Sequence, residues 1–368
     1  MRRIIAQTRK ELTQLVRDKL ALAMALGLPT MLLLLMGTTL SLTVTGIPII
    51  VQDYDDSQSS RTFIDAFRAS NTFRIIAWPI DKTAEEAFMG GKARAALVIP
   101  KRFGRDLARG ENTDVQLLVD GTDANTAKLT QAYSSQVVAA FVAETAGATR
   151  VNPVQADVRL WFNPGRVSKK FYGPGIFVLG LSMFPPLLAA LAMSKEGEQK
   201  TILQVYVSNV SAHEFLLGKI VAFMIVTFGE FAIAMTLMYT YFGLQIVGDP
   251  TPLLVGTILY AFCVSSFGNM VGAAIPNQAA AIQAVALGGF LLVFLLSGLL
   301  FPIANIPPEL HWLSNFVWGR YYIEIVRDAL LKGGGWGANW FGVMMIGIIG
   351  GLFYLRGWRS LRRMQLSY

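Results

Sequence analysis

The sequence predicts a polytopic α-helical membrane protein with six transmembrane helices and one α/β domain inserted between helices 1 and 2. Three observations lead to this fold class. Only 15% of the 368 residues are charged and 53% are hydrophobic, whereas soluble domains are about a quarter charged. Six windows match the roughly 20 apolar residues that a helix needs to cross a bilayer. Between the first two windows, residues 43–170 return to a soluble pattern.

The N-terminal residues 1–19 predict an amphipathic helix. Apolar residues recur at helical spacing, with basic residues between them, at Ile4, Ile5, Leu12, Leu15 and Val16. This pattern suits a helix lying on the membrane surface, and a merely cationic leader is the open alternative. The first span, residues 20–42, is longer than the apolar region of a signal peptide, and no clear A-x-A site follows it. We therefore interpret it as an uncleaved anchor.

Five further windows follow the insert and form a membrane domain over residues 171–355. They cover residues 172–193, 215–242, 253–275, 279–301 and 338–355. The prolines inside the spans are compatible with transmembrane helices, because neighbouring helices can satisfy the freed backbone groups.

Lysine and arginine near the span ends predict the orientation. Six basic residues occupy the first nineteen positions, and the tail over residues 356–368 carries four arginines. Both termini are therefore expected in the cytoplasm, which requires an even number of spans. The loop over 194–219 is then cytoplasmic. The insert over 43–170 is extracytoplasmic, since long loops cross the membrane regardless of charge. The segment over 302–337 also falls outside by this count of spans, although it carries Arg320, Arg327 and Lys332, and Glu324 and Asp328 stand at helical spacing from the arginines.

The insert alternates short apolar runs with polar helical stretches. Strands are expected at 47–52, 73–78, 95–100 and 115–120, and helices at 59–70, 83–91, 101–110 and 124–145. This alternation is typical of an α/β layer domain. Gly90, Gly91 and Gly110 end helices where a left-handed cap is expected.

The composition argues against an enzyme, a metal site and a nucleic-acid-binding protein. The insert contains no histidine, and the acidic cluster Asp53, Asp55 and Asp56 lacks calcium-loop spacing, so a solvated turn is the favoured interpretation over a cation site. His213, His311 and the single Cys263 stand apart from one another. Although the net charge is +8, sixteen of the 32 basic residues lie in the insert, where 14 acids nearly cancel them. No basic stripe for nucleic acid remains.

No G-x-x-x-x-G-K-[ST] phosphate-binding loop occurs in these 368 residues. If ATP drives this protein, another polypeptide hydrolyses it, and the chain itself needs no cofactor.

Several phrases in the insert resemble those of ABC-2 type exporter permeases, in the branch with a large extracytoplasmic domain after the first span. They are IPIIVQDYDDSQSSR, ARAALVIPKRFGRDLARGE and VQLLVDGTDANTA. The segments FYGPG at 171–175, FPI at 301–303 and RYY at 320–322 also resemble the family, so the resemblance covers essentially the whole chain. It implies separate ABC ATPase subunits that bind ATP and Mg, and a homodimer or a heterodimer with a related permease. It also implies a periplasmic adaptor, which would place the chain in a bacterial inner membrane.

The loop over 194–219 resembles the family's ATPase-coupling loop, with two departures. Lys200 stands where glycine is usual, and Ser208-Asn209 where Thr-Pro is usual. A helix over 198–207 is expected to dock on the ATPase, and an ordinary surface helix that connects two spans is the alternative. The candidate coupling residues are Glu198, Ile202, Leu203, Gln204 and Tyr206.

Two further sets of residues are candidates for function. Glu230 lies near the middle of the third span, where a charge is costly; it either contacts substrate or another helix, or is a neutral hydrogen-bonded carboxyl. The segment over 302–337 predicts a helical hairpin in the outer interface, with gating and simple anchoring left open. Its candidate residues are Trp312, Trp318, Arg320, Tyr321, Glu324 and Arg327.

The leading hypothesis is an exporter permease for an amphipathic, drug-like or lipid-like substrate, surrounded by membrane lipids. The first alternative is a membrane-anchored sensor or binding protein whose extracytoplasmic domain recognises a ligand. The second is an ion-coupled carrier, which predicts more ionisable residues within the spans and an internal repeat.

Overall fold

A computed structural model describes residues 1–39, 46–111, 113–121, 124–145, 168–201, 210–299, 303 and 306–362. The chain divides into two compact units, one made of Met1–Ser41 with Leu160–Tyr368 and the other of Leu42–Arg159. We call them the helical unit and the α/β unit.

The helical unit contains the long apolar helices. In chain order its helices are α1 (Arg2–Arg17), α2 (Lys19–Thr39), α7 (Ser168–Glu198), α8 (Ala212–Thr240), α9 (Thr251–Ala274), α10 (Gln278–Leu296, with a π-helical stretch over Ala286–Leu291), α11 (Pro308–Ser314), α12 (Trp318–Arg327, continued by a π-helical turn over Asp328–Lys332) and α13 (Gly335–Arg362).

Six helices of the described chain are long and apolar enough to cross a membrane. Each overlaps one predicted span. The boundaries differ most at α13, which continues to Arg362, at α7, which continues to Glu198 instead of ending near residue 193, and at α10, which ends at Leu296 instead of near residue 301. At the ends of α7 and α13 the helix continues through polar residues. Hydropathy marks the apolar part of a helix and not the residue at which its backbone hydrogen bonding stops. The expected loop over 194–219 is correspondingly shorter, and residues 356–362 are helical.

Contacts between helix ends define the two ends of the bundle. At one end, Arg3 of α1 pairs with Glu214 of α8 at 3.4 Å, Tyr354 of α13 contacts His213, and Glu198 of α7 accepts a hydrogen bond from α10. We call this the α1 end.

At the opposite end, the Trp336 indole of α13 donates to Thr251 of α9 at 2.7 Å. The Val247 amide donates to the Ala329 carbonyl at the same distance. The first helix of the chain and the end of the last one therefore lie at the same end of the bundle, as an even number of crossings requires.

α7 and α9 form the centre of the helical unit. In their most apolar windows, 78% and 67% of the residues are buried, against 22–33% in the other four spans. Gly268 and Gly272 of α9 form a GxxxG pair, and a Cβ at these positions would lie only 2.2 Å from the Pro186 carbonyl and 2.5 Å from the Ala190 carbonyl of α7. Small residues of this kind allow close backbone approach between membrane helices.

The α/β unit contains a four-stranded sheet. Its elements are β1 (Ile47–Asp53), α3 (Gln58–Ala69), β2 (Phe73–Ile76), α4 (Ala84–Met89), β3 (Ala95–Ile99), α5 (Phe103–Ala108), β4 (Gln116–Val119) and α6 (Ala124–Thr145). The strand order is β2-β1-β3-β4, with β1 parallel to β2 and β3, and β4 antiparallel to β3. Each expected strand and helix of the insert is present.

The two faces of the sheet carry different cores. Ile47 and Ile49 of β1 pack with aromatic side chains of α3, α5 and α6, whereas Ile50 packs with the alanines of α4. This alternation follows from the two-residue period of a strand. Gly91 and Gly110 adopt φ of 62° and 71°, as expected for left-handed caps, but Gly90 has a φ of −78° and does not.

Candidate functional site

Four charged side chains meet where α1, α7 and α8 come together. The Lys219 ammonium lies 2.8 Å from Glu11 Oε1 and 3.0 Å from Glu196 Oε1, and Lys10 Nζ lies 2.8 Å from the same Glu196 oxygen. Lys219 also donates to the Ala192 carbonyl at 3.3 Å. We call Lys10, Glu11, Glu196 and Lys219 the ionic junction.

The centre of the ionic junction is buried. The side chains of Lys219 and Glu11 are 0% and 3% exposed, whereas Lys10 is 43% exposed. Two acids and two bases sum to zero charge, so the group as a whole does not place net charge in a low-dielectric region. Breaking a buried pair by removing one partner typically costs about 3–5 kcal/mol, because the remaining charge is left uncompensated. The ionic junction therefore ties three helices together.

α1 lies close against the start of α8. The Thr8 hydroxyl donates to the Gly218 carbonyl at 3.0 Å, and a Cβ at Gly218 would lie 2.6 Å from the Gln7 Cβ. Leu12 and Leu15 pack beside a cluster of buried residues of α2, α7 and α8. The amphipathic helix predicted for the membrane surface thus exists, but Leu12 and Leu15 of its apolar face pack against protein.

A cavity of about 530 Å³ adjoins the ionic junction. Charged side chains of Lys10, Glu11 and Glu196 line it together with apolar side chains of Leu188 and Phe223. Its volume falls within the range of small-molecule sites, about 300–1,000 Å³.

Most of the predicted coupling residues lie outside the described residues, namely Ile202, Leu203, Gln204 and Tyr206. Glu198, the fifth, ends α7 instead of beginning a separate helix. Its carboxylate accepts a hydrogen bond from the Gln278 side chain at 2.8 Å, at the first turn of α10. Glu198 thus links two helices of its own chain.

Lys200 adopts a left-handed backbone conformation with φ of 57° directly after α7. It is one of three non-glycine residues with positive φ in the described chain. Glycine takes this conformation without strain, whereas lysine does not. The lysine that stands where the family usually has glycine therefore has a strained backbone.

Glu230 is buried in the helical unit, as expected for a carboxyl within a span. It is 3% exposed, and both carboxyl oxygens lack a hydrogen-bond partner among the described residues. Val226, one turn earlier on α8, packs with Ala25 of α2 and Leu188 of α7. The hydrogen bond to a neighbouring helix that we considered for Glu230 is not seen in the described part of the chain.

The predicted outer residues differ in burial. Trp312 on α11 is 61% exposed and Glu324 is exposed, whereas Trp318 is buried. Arg320 donates to Ser314 and Asn315 at 2.7 and 2.6 Å, and the Tyr321 hydroxyl donates to the Asn315 carbonyl at 2.8 Å, so both fasten α12 to the end of α11.

Arg327 has a different neighbourhood. It donates to the Gly298 carbonyl at 3.0 Å, and its guanidinium lies 4.6 Å from the centre of the Phe171 ring. The adjacent Asp328 accepts hydrogen bonds from the Gly334 and Gly335 amides and from Asn339. These contacts join α7, α12, α13 and the residues that follow α10.

A buried tyrosine pair was not predicted. The rings of Tyr260 in α9 and Tyr322 in α12 stack with centroids 4.0 Å apart. The Tyr322 hydroxyl bonds Thr257 at 2.8 Å, and the Tyr260 hydroxyl contacts Ser182 of α7. The sequence offered one sign of this pair, since Tyr260 lies within an apolar window and a buried tyrosine hydroxyl needs a hydrogen-bond partner.

The acidic turn of the α/β unit is explained by its internal hydrogen bonds. Asp53 accepts from the amides of Asp55 and Asp56 at 3.0 and 3.1 Å and from the Ser60 hydroxyl at 2.6 Å. A hydrogen bond from Ser57 and one from the Gly104 amide lower the pKa of Asp55. Among the described residues, no group of three or more His, Cys, Asp or Glu side chains is arranged to hold a metal ion.

Comparison with known proteins identifies the family. The chain is 26% identical over 353 residues to the probable multidrug ABC transporter permease YbhS of Escherichia coli K12, covering 90% of this chain and 89% of the relative. It is 25% identical to the probable multidrug ABC transporter permease YbhR of the same organism, covering 88% of each chain. The linearmycin resistance permease protein LnrN of Bacillus subtilis is 19% identical, with 90% and 92% covered. A family profile described as ABC-2 family transporter protein matches residues 19–359. The chain therefore belongs to the ABC-2 family of transporter permeases.

Proposed function

We propose that this chain is the membrane subunit of an ATP-driven exporter that moves an amphipathic, drug-like or lipid-like molecule out of the cytoplasm or the inner leaflet. ATP with Mg is bound and hydrolysed by separate ABC ATPase subunits. The chain pairs with a second copy or a related permease in the inner membrane and works with a periplasmic adaptor. The multidrug relatives support the substrate class, since they match nearly the full length of this chain.

The observation that carries this proposal is the ionic junction at the α1 end. It joins α1 to α7 and α8 on both sides of the short segment between the two helices, over 199–211. A partner that pushes on this segment would move α1, α7 and α8 as one body, because Lys219 is bonded to acids of both other helices. The central position of α7 would carry the movement to α9.

The distribution of basic residues supports a cytoplasmic α1 end. Basic residues of the helix ends accumulate there, at Arg2, Arg3, Arg9, Lys10, Arg17, Lys19, Lys195, Lys200, Arg356, Arg359 and Arg362. Cytoplasmic loops are enriched in lysine and arginine. With this orientation the α/β unit, which follows α2 in the chain, is extracytoplasmic.

The proposal is tested by site-specific crosslinking to the ATPase. Cys263 is the one natural cysteine and is buried, so a cysteine introduced by Gln204→Cys can be labelled selectively. We expect it to crosslink to the co-expressed ATPase in membrane vesicles, and the matched Glu309→Cys variant on α11 to remain uncrosslinked. ATP-dependent efflux is then measured with the wild-type ATPase and with an ATPase that lacks its phosphate-binding lysine.

Absence of a crosslink at both positions together with absence of efflux would favour the anchored sensor. Absence of a crosslink with efflux that persists without ATP hydrolysis would favour the ion-coupled carrier.

A further inference from the structure

The cavity beside the ionic junction has a charged part near the helix ends and an apolar inner part, deeper between the helices. Lys10, Glu11 and Glu196 line the charged part, and Leu188 and Phe223 line the apolar inner part. Glu196 and Leu188 are eight residues apart on α7, which corresponds to about 12 Å of helix. The cavity thus extends from the polar helix ends into the apolar region of the spans.

Glu196 lines this cavity, and one of its carboxylate oxygens has no hydrogen-bond partner among the described residues. Its Oε1 accepts from Lys10 and lies near Lys219, whereas its Oε2 is buried without a hydrogen-bond partner in the described chain. The residue is 7% exposed. A buried acceptor without a donor is destabilising, so a ligand in the cavity that supplies a hydrogen-bond donor would be bound favourably.

The charges that line the cavity favour a zwitterionic ligand. With the adjacent Lys219, three bases balance the three acids Glu11, Asp18 and Glu196. The two remaining bases, Lys10 and Lys195, lie on the rim, and the exposed Lys195 has no ion pair among the described residues. It is available for an anionic group, while Glu196 Oε2 is available for a cationic donor.

We propose that this cavity binds a membrane lipid whose headgroup carries a primary ammonium and a phosphate. The ammonium donates to Glu196 Oε2, the phosphate lies beside Lys195, and the start of an acyl chain covers Leu188 and Phe223. A small soluble amine would leave this apolar inner part uncovered. The inference goes beyond the proposed function, because it concerns binding to the permease without ATP or ATPase.

The test is retention of lipid by the purified full-length permease, measured by native mass spectrometry after exchange into an equimolar mixture of phosphatidylethanolamine and phosphatidylcholine. The two headgroups differ in the N–H donors, which the trimethylated choline lacks. We expect at least about tenfold preference for phosphatidylethanolamine, and loss of that preference in Glu196→Gln. Equal retention of both lipids by the wild type would overturn the proposal.

A second variant separates binding from folding, since Glu196 also belongs to the ionic junction. Leu191 lines the cavity and is half-buried, so Leu191→Trp fills the space without altering a charge. We expect it to lose phosphatidylethanolamine while its unfolding temperature is unchanged. The matched control is Leu254→Trp on α9, at a side chain that is 52% exposed, which should retain the lipid. Retention by Leu191→Trp equal to the wild type would contradict the proposal.

A third arm distinguishes a lipid from another amphiphilic amine. Dodecylammonium has the cationic donor and the apolar chain but no phosphate. We expect it to displace phosphatidylethanolamine poorly at equal concentration. Complete displacement would show that the phosphate has no role and would exclude the lipid assignment.

Discussion

Lys219 is the residue on which the packing of α1 depends most. Its fully buried ammonium contacts the carboxylates of Glu11 and Glu196. Lys219→Met removes the buried cation between the two acids and leaves only the partly exposed Lys10 to pair with them. We expect it to lower the free energy of unfolding by about 3 kcal/mol, at the lower end of the cost of breaking a buried ion pair. Lys195→Met at an exposed position should change it by less than about 0.5 kcal/mol. Thermal unfolding in detergent measures both, and equal effects would disprove the prediction.

The strained backbone at Lys200 gives a prediction of the opposite sign. Because a left-handed conformation costs an L-residue about 1–2 kcal/mol, we expect Lys200→Gly to stabilise the protein by about 1 kcal/mol. The same substitution at Lys195, within the last turns of α7, should destabilise by about 1 kcal/mol. Chemical denaturation of both variants checks this pair, which fails if the two shifts have the same sign.

Replacing Glu230 allows its effects on stability and on transport to be measured separately. Since neither carboxyl oxygen has a partner among the described residues, Glu230→Leu should unfold at a temperature no lower than the wild type. An unpaired buried polar group is destabilising, and an apolar side chain of similar size removes that penalty. A clear decrease in the unfolding temperature would show that the carboxyl has a partner. Efflux measured on the stable variant then tests a role in substrate contact.

At the scale of elements, the packing of α7 against α9 depends on two glycines. Gly268→Ala places a Cβ about 2.2 Å from the Pro186 carbonyl, which is backbone and cannot move aside. We expect a loss of about 1–3 kcal/mol and weaker α7–α9 association. Gly351→Ala on α13 is the matched control, because nothing lies within 4 Å of its Cβ. Unfolding of the two variants should differ clearly, and similar values would argue against close packing.

The helices and strands could largely be predicted from the sequence, whereas the side-chain contacts between them could not. Hydropathy located the six spans, and the alternation of apolar and polar runs located the strands and helices of the α/β unit. Hydropathy could not extend α7 to Glu198, since that final turn is held by a hydrogen bond to α10. Glu11 and Lys219 are 208 positions apart, and no local pattern connects them. The side chains of the outer segment were identified as notable, but their division into exposed and buried groups depends on the packing of α12.

At the scale of the whole molecule, the two units have separate hydrophobic cores. The α/β unit packs Phe63, Phe67, Phe103 and Phe141 against one face of its sheet. We expect a fragment over residues 46–145 to fold alone, with circular dichroism typical of mixed α/β structure and a cooperative thermal transition. A Phe63→Ala variant of the fragment should lose about 3–5 kcal/mol. Absence of a cooperative transition in the parent fragment would show that its core depends on the helical unit.

The separation of Glu11 from Lys219 also determines when α1 can reach its final place during synthesis. At about 5–20 residues per second, the 208 positions between them take roughly 10–40 s to translate. Throughout that interval Glu11 has only Lys10 of its own helix as a cation beside it, and Leu12 and Leu15 have no α8 to cover them. We therefore expect the nascent helix to lie at the membrane surface, with its basic side chains toward the headgroups, until the third span is made. On this expectation the surface-bound state that the amphipathic pattern predicts is a stage in assembly, and formation of the ionic junction ends it.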